Sequence, residues 1–384
     1  MKTTSTSLSQ AAENVAEVAS QLIADMEGER RLSSDVIKAM VDAGFMRHFV
    51  PIGFGGQAGT FGELLAAVAV IGEKCAASAW CASLFASSAR FIAFFPLAAQ
   101  QEIWADGPDA AVVCSVIPFG EAVAEKDGWR VSGRWPYMSG IEFADWVIVC
   151  VKIFGDGEPE LKLLAVPRKD CRIEDTWFSV GMQATGSNTA VLENVFVPAQ
   201  RAGDRAALFA GRRANPSADP PVVGMTPLPA VNGLTFVVPA LGAARGALAL
   251  LSEHIVKKIR DSPALPGVPG VQGNRATYET VLARSAAEID AAQLLLERIA
   301  SIADENRDLT PVDVARNARD SAFAVDLLVT AMNRIFRTAG TSGQAAGGLL
   351  QRFWRDINSV ATHQALQFEP TARNYAKTLF DRTR

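Results

Sequence analysis

Histidine side chains are the natural candidates for acid–base chemistry near neutral pH, and this chain has three of them: His48, His254 and His363. An unperturbed imidazole has a pKa of ~6.5, so it can take up or release a proton under ordinary conditions. The three lie far apart, and none has a histidine or glutamate companion at the spacing of a metal-binding helix. A metal centre is therefore disfavoured.

The glycine and serine motifs do not point to nucleotide binding or serine hydrolysis. No GxGxxG follows a predicted strand, there is no P-loop, and the glycines between Gly53 and Gly59 are typical of a loop. The segment from Gly340 to Gln344 fails the GxSxG spacing of a nucleophile elbow and follows a predicted helix. Both of these enzyme classes are disfavoured.

The composition is that of a large soluble enzyme. The 384 residues are 49% hydrophobic and carry a net charge of −4, without the basic excess that nucleic-acid binding requires. Five scattered cysteines without a CxxC predict neither disulfides nor a zinc knuckle, and indicate a cytoplasmic compartment. No signal-peptide pattern opens the chain, and the apolar stretch from Leu64 to Phe95 contains charged residues, which predicts packed helices and no membrane span.

The sequence divides into three zones whose predicted elements must position the candidate side chains. Residues 1–110 show apolar spacings of three and four, which predict a helical domain. Residues 111–210 alternate with a period of two and contain no helix-length segment, which predicts an antiparallel β domain. Residues 211–384 are helical again, and Thr310, Pro311 and Asp313 open one long helix as its N-cap, N1 and N3 residues.

Three segments resemble motifs of the acyl-CoA dehydrogenase superfamily. They are Gly181-Met-Gln-Ala-Thr-Gly-Ser187 with Val195-Phe-Val-Pro198, Gly128-Trp-Arg-Val-Ser-Gly-Arg-Trp-Pro-Tyr-Met-Ser-Gly140, and Arg352-Phe-Trp-Arg-Asp356. The resemblance covers nearly the whole chain. It implies an α+β fold with an N-terminal helical domain, a central antiparallel β-barrel and a C-terminal four-helix bundle, assembled as a homotetramer.

The branch of this superfamily is indicated by the residues after Asp356. Thr362-His363-Gln364-Ala365 stands where the dehydrogenases have a Tyr-Glu-Gly-Thr segment with the glutamate that abstracts a proton. A histidine there, together with Ser78-Ala-Trp80, resembles the two-component flavin-dependent monooxygenases, among them p-hydroxyphenylacetate hydroxylase, dibenzothiophene monooxygenases and polycyclic pigment hydroxylases. Such an enzyme hydroxylates an aromatic or polycyclic small molecule with O2 through a C4a-hydroperoxyflavin. Its reduced flavin, FMNH2 or FADH2, comes from a separate NAD(P)H:flavin reductase.

The resemblance implies a role for particular residues. Ser139 is expected to hold the proton on flavin N5. His363 is expected to act as the acid or base that accepts a phenolic proton, or to stabilise a phenolate. Arg355 and Asp356 are expected to form a structural pair. The other expected flavin contacts are Ser115, Trp135, Tyr137, Met138, Ser187 and Arg260, the last across a subunit interface. The expected substrate contacts are Trp80, Phe85, Trp177 and His363.

Three other functions stay open at this point. An oxygenase of the same fold can attack nitrogen or sulfur instead of carbon. An acyl-CoA dehydrogenase with a relocated base would need Glu369, five residues after Gln364. A scaffold protein that has lost its chemistry would bind no reduced flavin.

Overall fold

The chain forms helices, then a sheet, then helices, in the order expected. A computed structural model describes residues 7–155, 157–212, 226–261, 275–305 and 307–381. The first helices are α1 (Leu8–Glu29), α2 (Ser34–Ala43), α3 (Phe61–Gly72), α4 (Ala76–Ile92) and α5 (Leu97–Ile103). The apolar stretch expected to pack as helices is α3 and α4, whose side chains are largely buried.

Within the described residues, seven strands form one mixed sheet in the order β5-β6-β2-β1-β3-β4-β7. All neighbouring pairs are antiparallel except β1 and β3, which run parallel. The strands are β1 (Val112–Glu125), β2 (Gly128–Met138), β3 (Trp146–Ile153), β4 (Glu160–Pro167), β5 (Arg172–Glu174), β6 (Asn188–Pro198) and β7 (Ala202–Asp204).

The predicted antiparallel β-barrel is confirmed only in part: the strands form one sheet, but the sheet is mixed and is not a closed barrel. The edge strands β5 and β7 have three residues each and lie at opposite ends of the sheet, so they do not pair to close it. Strand β3 lies beside β1 on the side away from β2. It runs in the same direction as β1, so that pair is parallel. Alternation of apolar and polar residues identifies a strand but not its partner, so neither feature was visible in the sequence.

The C-terminal half is a set of long helices around a shared apolar core. Thr310 caps one of them through a capping box with Asp313, as predicted, and Gly340 ends it. The helices are α6 (Arg205–Ala210), α7 (Leu228–Asp261), α8 (Arg275–Asp304), α9 (Pro311–Ala339), α10 (Leu349–Ala361) and α11 (Phe368–Phe380).

Helix α7 is the central support of this half. It is long and apolar enough to cross a membrane, but 72% of its most apolar window is buried inside the protein. A helix covered on most sides by other elements is the core helix of a globular fold. Glycines bring it against α3, since a Cβ on Gly242 would lie 2.3 Å from the carbonyl oxygen of Ala69.

A proline in α7 joins that helix to α4. Pro239 has no N–H, so the carbonyl of Thr235, four residues earlier, loses its helical hydrogen bond. The hydroxyl of Ser83 on α4 donates to this carbonyl oxygen at 2.7 Å and satisfies it. Trp80 and Phe236 lie close to this link on the two helices, so it sets the distance between them.

Candidate active site

A cavity of about 740 Å³ lies where α4, α7, β1, β2 and the segment after α10 meet. Many of its lining residues are aromatic or aliphatic, and polar side chains reach it from the sheet, from α4 and α7, and from the segment around His363. None of the described residues that line it is an aspartate or a glutamate. The predicted site residues on its wall are Trp80, Ser115, Tyr137, Ser139, Trp177, Ser187 and His363.

Ser139 follows the last residue of β2 in a tight turn. Tyr137 and Gly140, on either side, have left-handed φ values of 64° and 72°. The Ser139 side chain is 8% exposed and accepts a hydrogen bond from the indole N–H of Trp80 at 3.0 Å. Its oxygen also lies 2.8 Å from the Ser187 hydroxyl. The motif between Gly181 and Ser187 therefore meets the end of β2 and the α4 helix at this hydroxyl.

Met182 links that motif to α10. Its φ is 55°, an uncommon value for a residue with a side chain. Its backbone N–H donates to the buried Asp356 carboxylate at 2.5 Å, and its carbonyl oxygen accepts from the Trp177 indole at 3.0 Å. Burial raises the pKa of Asp356 to about 6, partly offset by the hydrogen bond from Met182.

The prediction that Arg355 pairs with Asp356 is wrong, because Arg355 forms its ion pair with Glu27. Arg355 binds Glu27 on α1 at 2.9 Å, and Arg352 binds the same carboxylate at 2.9 Å. Arg355 also donates to the Val180 carbonyl oxygen at 2.5 Å. Glu27 precedes these residues by more than 300 positions, so no local pattern could have revealed it. The two arginines fix α10, and with it the start of the His363 segment.

His363 lies between the end of α10 and α11. Its Nδ1 accepts a hydrogen bond from the backbone N–H of Ala365 at 3.2 Å. Burial lowers the pKa of His363 to about 4, so the ring is neutral near pH 7. Because Nδ1 is an acceptor, the single proton of the neutral ring resides on Nε2. His363 is therefore a hydrogen-bond donor through Nε2.

Phe236 is a site residue that sequence reasoning missed. Its ring centroid lies 4.0 Å from that of His363 and 5.2 Å from that of Trp80, which it stacks upon. It belongs to α7, where most side chains are apolar, so nothing in its surroundings distinguished it. Asn232, one turn earlier on the same helix, also lines the cavity. A polar residue in such an apolar helix was a signal that could have been used.

Arg90 and Thr185 also line the cavity and were not predicted. The Arg90 guanidinium lies near the Phe61 and Phe94 rings and donates to the Thr226 carbonyl oxygen. Burial lowers the pKa of Arg90 to about 9. Arg90 was seen in the sequence only as an interruption of an apolar stretch.

Four predicted residues lie away from the cavity wall. Trp135 is buried on the sheet and donates to the Cys150 carbonyl oxygen at 2.8 Å, and Met138 is 1% exposed in the core. Arg260 is exposed near the end of α7. The fourth, Phe85, packs beneath the Ser139 turn. None of these four side chains lines the cavity within one chain.

Phe85 supports the turn instead of binding substrate. It is 1% exposed, and a Cβ on Gly140 would lie 2.7 Å from its ring. We expect Phe85→Ala to lower the free energy of unfolding by about 3–5 kcal/mol, because it leaves a cavity in the core. Phe85→Leu leaves a smaller cavity and should cost less than Phe85→Ala. Urea denaturation measures both, and an unchanged stability in Phe85→Ala would contradict this placement.

Comparison with known proteins identifies relatives along most of the chain. Residues 234–368 match the model of the acyl-CoA dehydrogenase C-terminal domain family. The oxygenase subunit HsaA, a flavin-dependent monooxygenase of Rhodococcus jostii, is 30% identical over 349 residues, which cover 89% of this chain and 90% of that protein. The oxygenase component of an FADH2-dependent resorcinol hydroxylase from a Rhizobium species is 30% identical over 359 residues, covering 89% and 86%.

Solved structures agree with these relatives. The 3-HSA hydroxylase of Rhodococcus sp. RHA1 superposes with a TM-score of 0.91 at 27% identity, over 98% of this chain and 97% of that one. XiaF from a Streptomyces species, solved in complex with FADH2 and glycerol, has a TM-score of 0.89 at 28% identity, covering 97% and 95%. The expected superfamily and branch are confirmed. This chain belongs to the flavin-dependent monooxygenases with an acyl-CoA dehydrogenase-like fold, in the group formed by their oxygenase subunits.

Proposed function

We propose that this chain is the oxygenase component of a two-component monooxygenase, which uses reduced flavin and O2 to hydroxylate an aromatic or polycyclic small molecule. The observation that carries the proposal is His363, which faces Phe236 in a cavity whose described lining residues include no carboxylate. A neutral donor among aromatic rings suits a phenolic substrate. Related oxygenase components bear the names of resorcinol and p-hydroxyphenylacetate hydroxylases.

The residues present fit a reduced flavin. The cavity of about 740 Å³ is large enough for a flat ring system and a substrate together, and Ser139 offers a buried oxygen at its wall. Ser115, Tyr137, Ser139 and Ser187 would hold the cofactor. When bound, reduced flavin would supply the two electrons that activate O2, which is the source of the transferred oxygen atom.

The side chains of this protein orient the substrate and keep water away. The Trp80 and Phe236 rings form an apolar wall beside the reacting position, which limits proton leakage. The Nε2–H of His363 would donate to the oxygen of a substrate that binds as its phenolate and would stabilise the negative charge there. The phenolate is the form whose ring is the better nucleophile. Of the two expected roles of His363, stabilising a phenolate fits this tautomer and accepting a phenolic proton does not, because Nε2 already carries its proton.

The dehydrogenase alternative lacks its base. Glu369 is 75% exposed on α11, pairs with Arg373 one turn later, and is absent from the cavity wall. Abstraction of a substrate proton requires a base within hydrogen-bond reach. Oxygenation of nitrogen or sulfur instead of carbon is favoured by no feature of the described site.

The proposal extends to partners and assembly. A separate NAD(P)H:flavin reductase supplies the reduced flavin, and the working assembly is a cytoplasmic homotetramer in which the C-terminal helices form a four-helix bundle. The N-terminal helical domain would span residues 1–110, the β domain residues 111–210, and the C-terminal helical domain residues 211–384. Two exposed apolar side chains, Val256 near the end of α7 and Leu294 on α8, support subunit contacts there. Arg260, near the end of α7, would then reach the flavin phosphate of a neighbouring subunit.

The test is turnover with chemically reduced FMN or FAD and a panel of phenols and polycyclic aromatics. We expect a hydroxylated product from at least one aromatic compound, and less free hydrogen peroxide than in the same mixture without protein. Oxidation of an acyl-CoA to its enoyl product with an artificial electron acceptor would overturn the proposal in favour of a dehydrogenase.

A further inference from the structure

Three hydroxyl groups, of which Ser139 is the first, form a continuous hydrogen-bonded chain. The Ser139 oxygen lies 2.8 Å from that of Ser187, and the Ser187 oxygen lies 2.6 Å from that of Thr185. The Thr185 hydroxyl donates to the Met182 carbonyl oxygen at 2.8 Å. All three side chains are buried, with exposed fractions between 1% and 8%. The protons of this chain therefore have few alternative partners.

The hydrogen bonds along these three hydroxyl groups can be donated in only one direction. Each of their contacts between two oxygens needs one proton, and the carbonyl oxygen of Met182 supplies none. Thr185 must therefore donate to Met182, Ser187 to Thr185, and Ser139 to Ser187. An indole N–H is always a donor, so Trp80 occupies one lone pair of the Ser139 oxygen. Ser139 faces the cavity with a lone pair and no free proton.

The acceptor end of the chain is fixed. The Met182 carbonyl oxygen also receives the Trp177 indole N–H at 3.0 Å and the Thr185 backbone N–H at 3.1 Å. Asp356 holds the backbone N–H of Met182. Reversing the chain would leave a buried contact without its proton, which is costly away from water.

We propose that this directed chain makes the site selective for the reduced form of its flavin, with Trp80, Ser187 and Thr185 as positioning residues that act through Ser139. The inference rests on the proposed flavin site, with N5 of the ring beside Ser139. Reduced flavin carries a hydrogen on N5, whereas oxidised flavin has a lone pair there. A Ser139 oxygen that can only accept a hydrogen bond attracts the N5–H of the reduced ring. The same oxygen repels the N5 lone pair of the oxidised ring.

The test compares two substitutions of Thr185. Thr185→Val removes the hydroxyl with little change of shape, so Ser187 is free to donate to Ser139, and Ser139 to the cavity. Thr185→Ser keeps the hydroxyl and is the matched control. Dissociation constants for reduced FAD, without oxygen, and for oxidised FAD are measured by equilibrium titration without turnover. Ser187→Ala removes the acceptor of Ser139 and provides a second, independent break in the chain.

We expect the wild type and Thr185→Ser to bind reduced FAD more tightly than oxidised FAD. In Thr185→Val and Ser187→Ala the ratio of the two constants should shrink by about tenfold, the scale of one hydrogen bond. In Thr185→Val, which removes none of the proposed flavin contacts, oxidised FAD should bind more tightly than in the wild type, and the potential of bound flavin should fall by about 30 mV.

Other outcomes distinguish the proposed selectivity for reduced flavin from the proposed flavin site. Equal weakening of both flavin forms in Thr185→Val and Ser187→Ala, with an unchanged ratio, would show that the chain is only structural. A wild type that binds both forms equally would refute the selectivity while leaving the flavin site intact. A wild type that binds neither form would refute the flavin site itself.

Discussion

Replacing His363 by alanine is expected to lower the rate of aromatic hydroxylation by about 10²- to 10³-fold, the usual effect of losing one donor to a developing negative charge. The ring donates through Nε2, because Nδ1 accepts the Ala365 backbone N–H. Binding of reduced flavin should change little, since His363 is not among the proposed flavin contacts. Single-turnover product formation measures the rate, and anaerobic titration measures the binding.

Two amide substitutions separate the roles of the two ring nitrogens. The side-chain amide of glutamine in His363→Gln reaches the position of Nε2 and can donate there. The side-chain oxygen of asparagine in His363→Asn reaches the position of Nδ1 and preserves only the bond from Ala365. We expect glutamine to recover part of the lost rate and asparagine to recover none. Equal rates in the two variants would contradict the donor role.

The pH dependence follows from the same geometry. Burial lowers the pKa of His363 to about 4, below its usual value, so the neutral donor form predominates above about pH 5. The rate should therefore show no His363 inflection between pH 6 and 9. It should fall only as the pH drops towards 4, because protonation of Nδ1 removes the bond from the Ala365 N–H that holds the ring in place. An inflection near pH 6.5 that disappears in His363→Gln would indicate an acid–base role instead.

Replacing Asp356 by alanine is expected to lower the free energy of unfolding by about 3 kcal/mol. The substitution leaves the Met182 N–H buried without an acceptor in a left-handed turn, and removes a carboxylate beside Arg352 and Arg355. Asp356→Asn keeps an oxygen in the same place and should cost only about 1 kcal/mol. Chemical denaturation at constant pH compares the two, and equal losses would show that the Met182 bond contributes little.

The pKa of Asp356 gives this prediction a pH signature. Burial raises the pKa of Asp356 in the folded protein to about 6, above the unfolded value near 3.8. The folded state therefore favours the protonated acid, and this contribution is complete below about pH 4 and lost as the pH rises through 6. Stability of the wild type relative to Asp356→Asn should rise as the pH falls from 7 to 4. The opposite slope would show that the nearby arginines dominate.

The local features of this fold could be predicted from the sequence because they depend on neighbouring residues. The helix that begins after Thr310 and the strand before Ser139 each have capping or alternating patterns a few residues long. Ser139, Ser187 and His363 were reached through motifs of similar length. All three line the same cavity.

Features that join distant segments could not be predicted. Glu27 binds two arginines from the other end of the chain, and Phe236 reaches His363 from an apolar helix without distinguishing marks. Trp135 was expected beside the flavin, but the absence of a side chain at Gly120 and Gly133 leaves room for its ring on the sheet. The pairing that leaves the sheet open also depends on long-range contacts.

The most direct test of the central claim is oxygen labelling. Reduced flavin, this protein and a phenolic substrate that yields product are mixed with ¹⁸O2 in unlabelled water, and the product is examined by mass spectrometry. A flavin-dependent monooxygenase inserts one oxygen atom from O2, so the product mass should rise by about two units relative to the ¹⁶O2 reaction. An unlabelled product, or an unsaturated one without new oxygen, would contradict the oxygenase function.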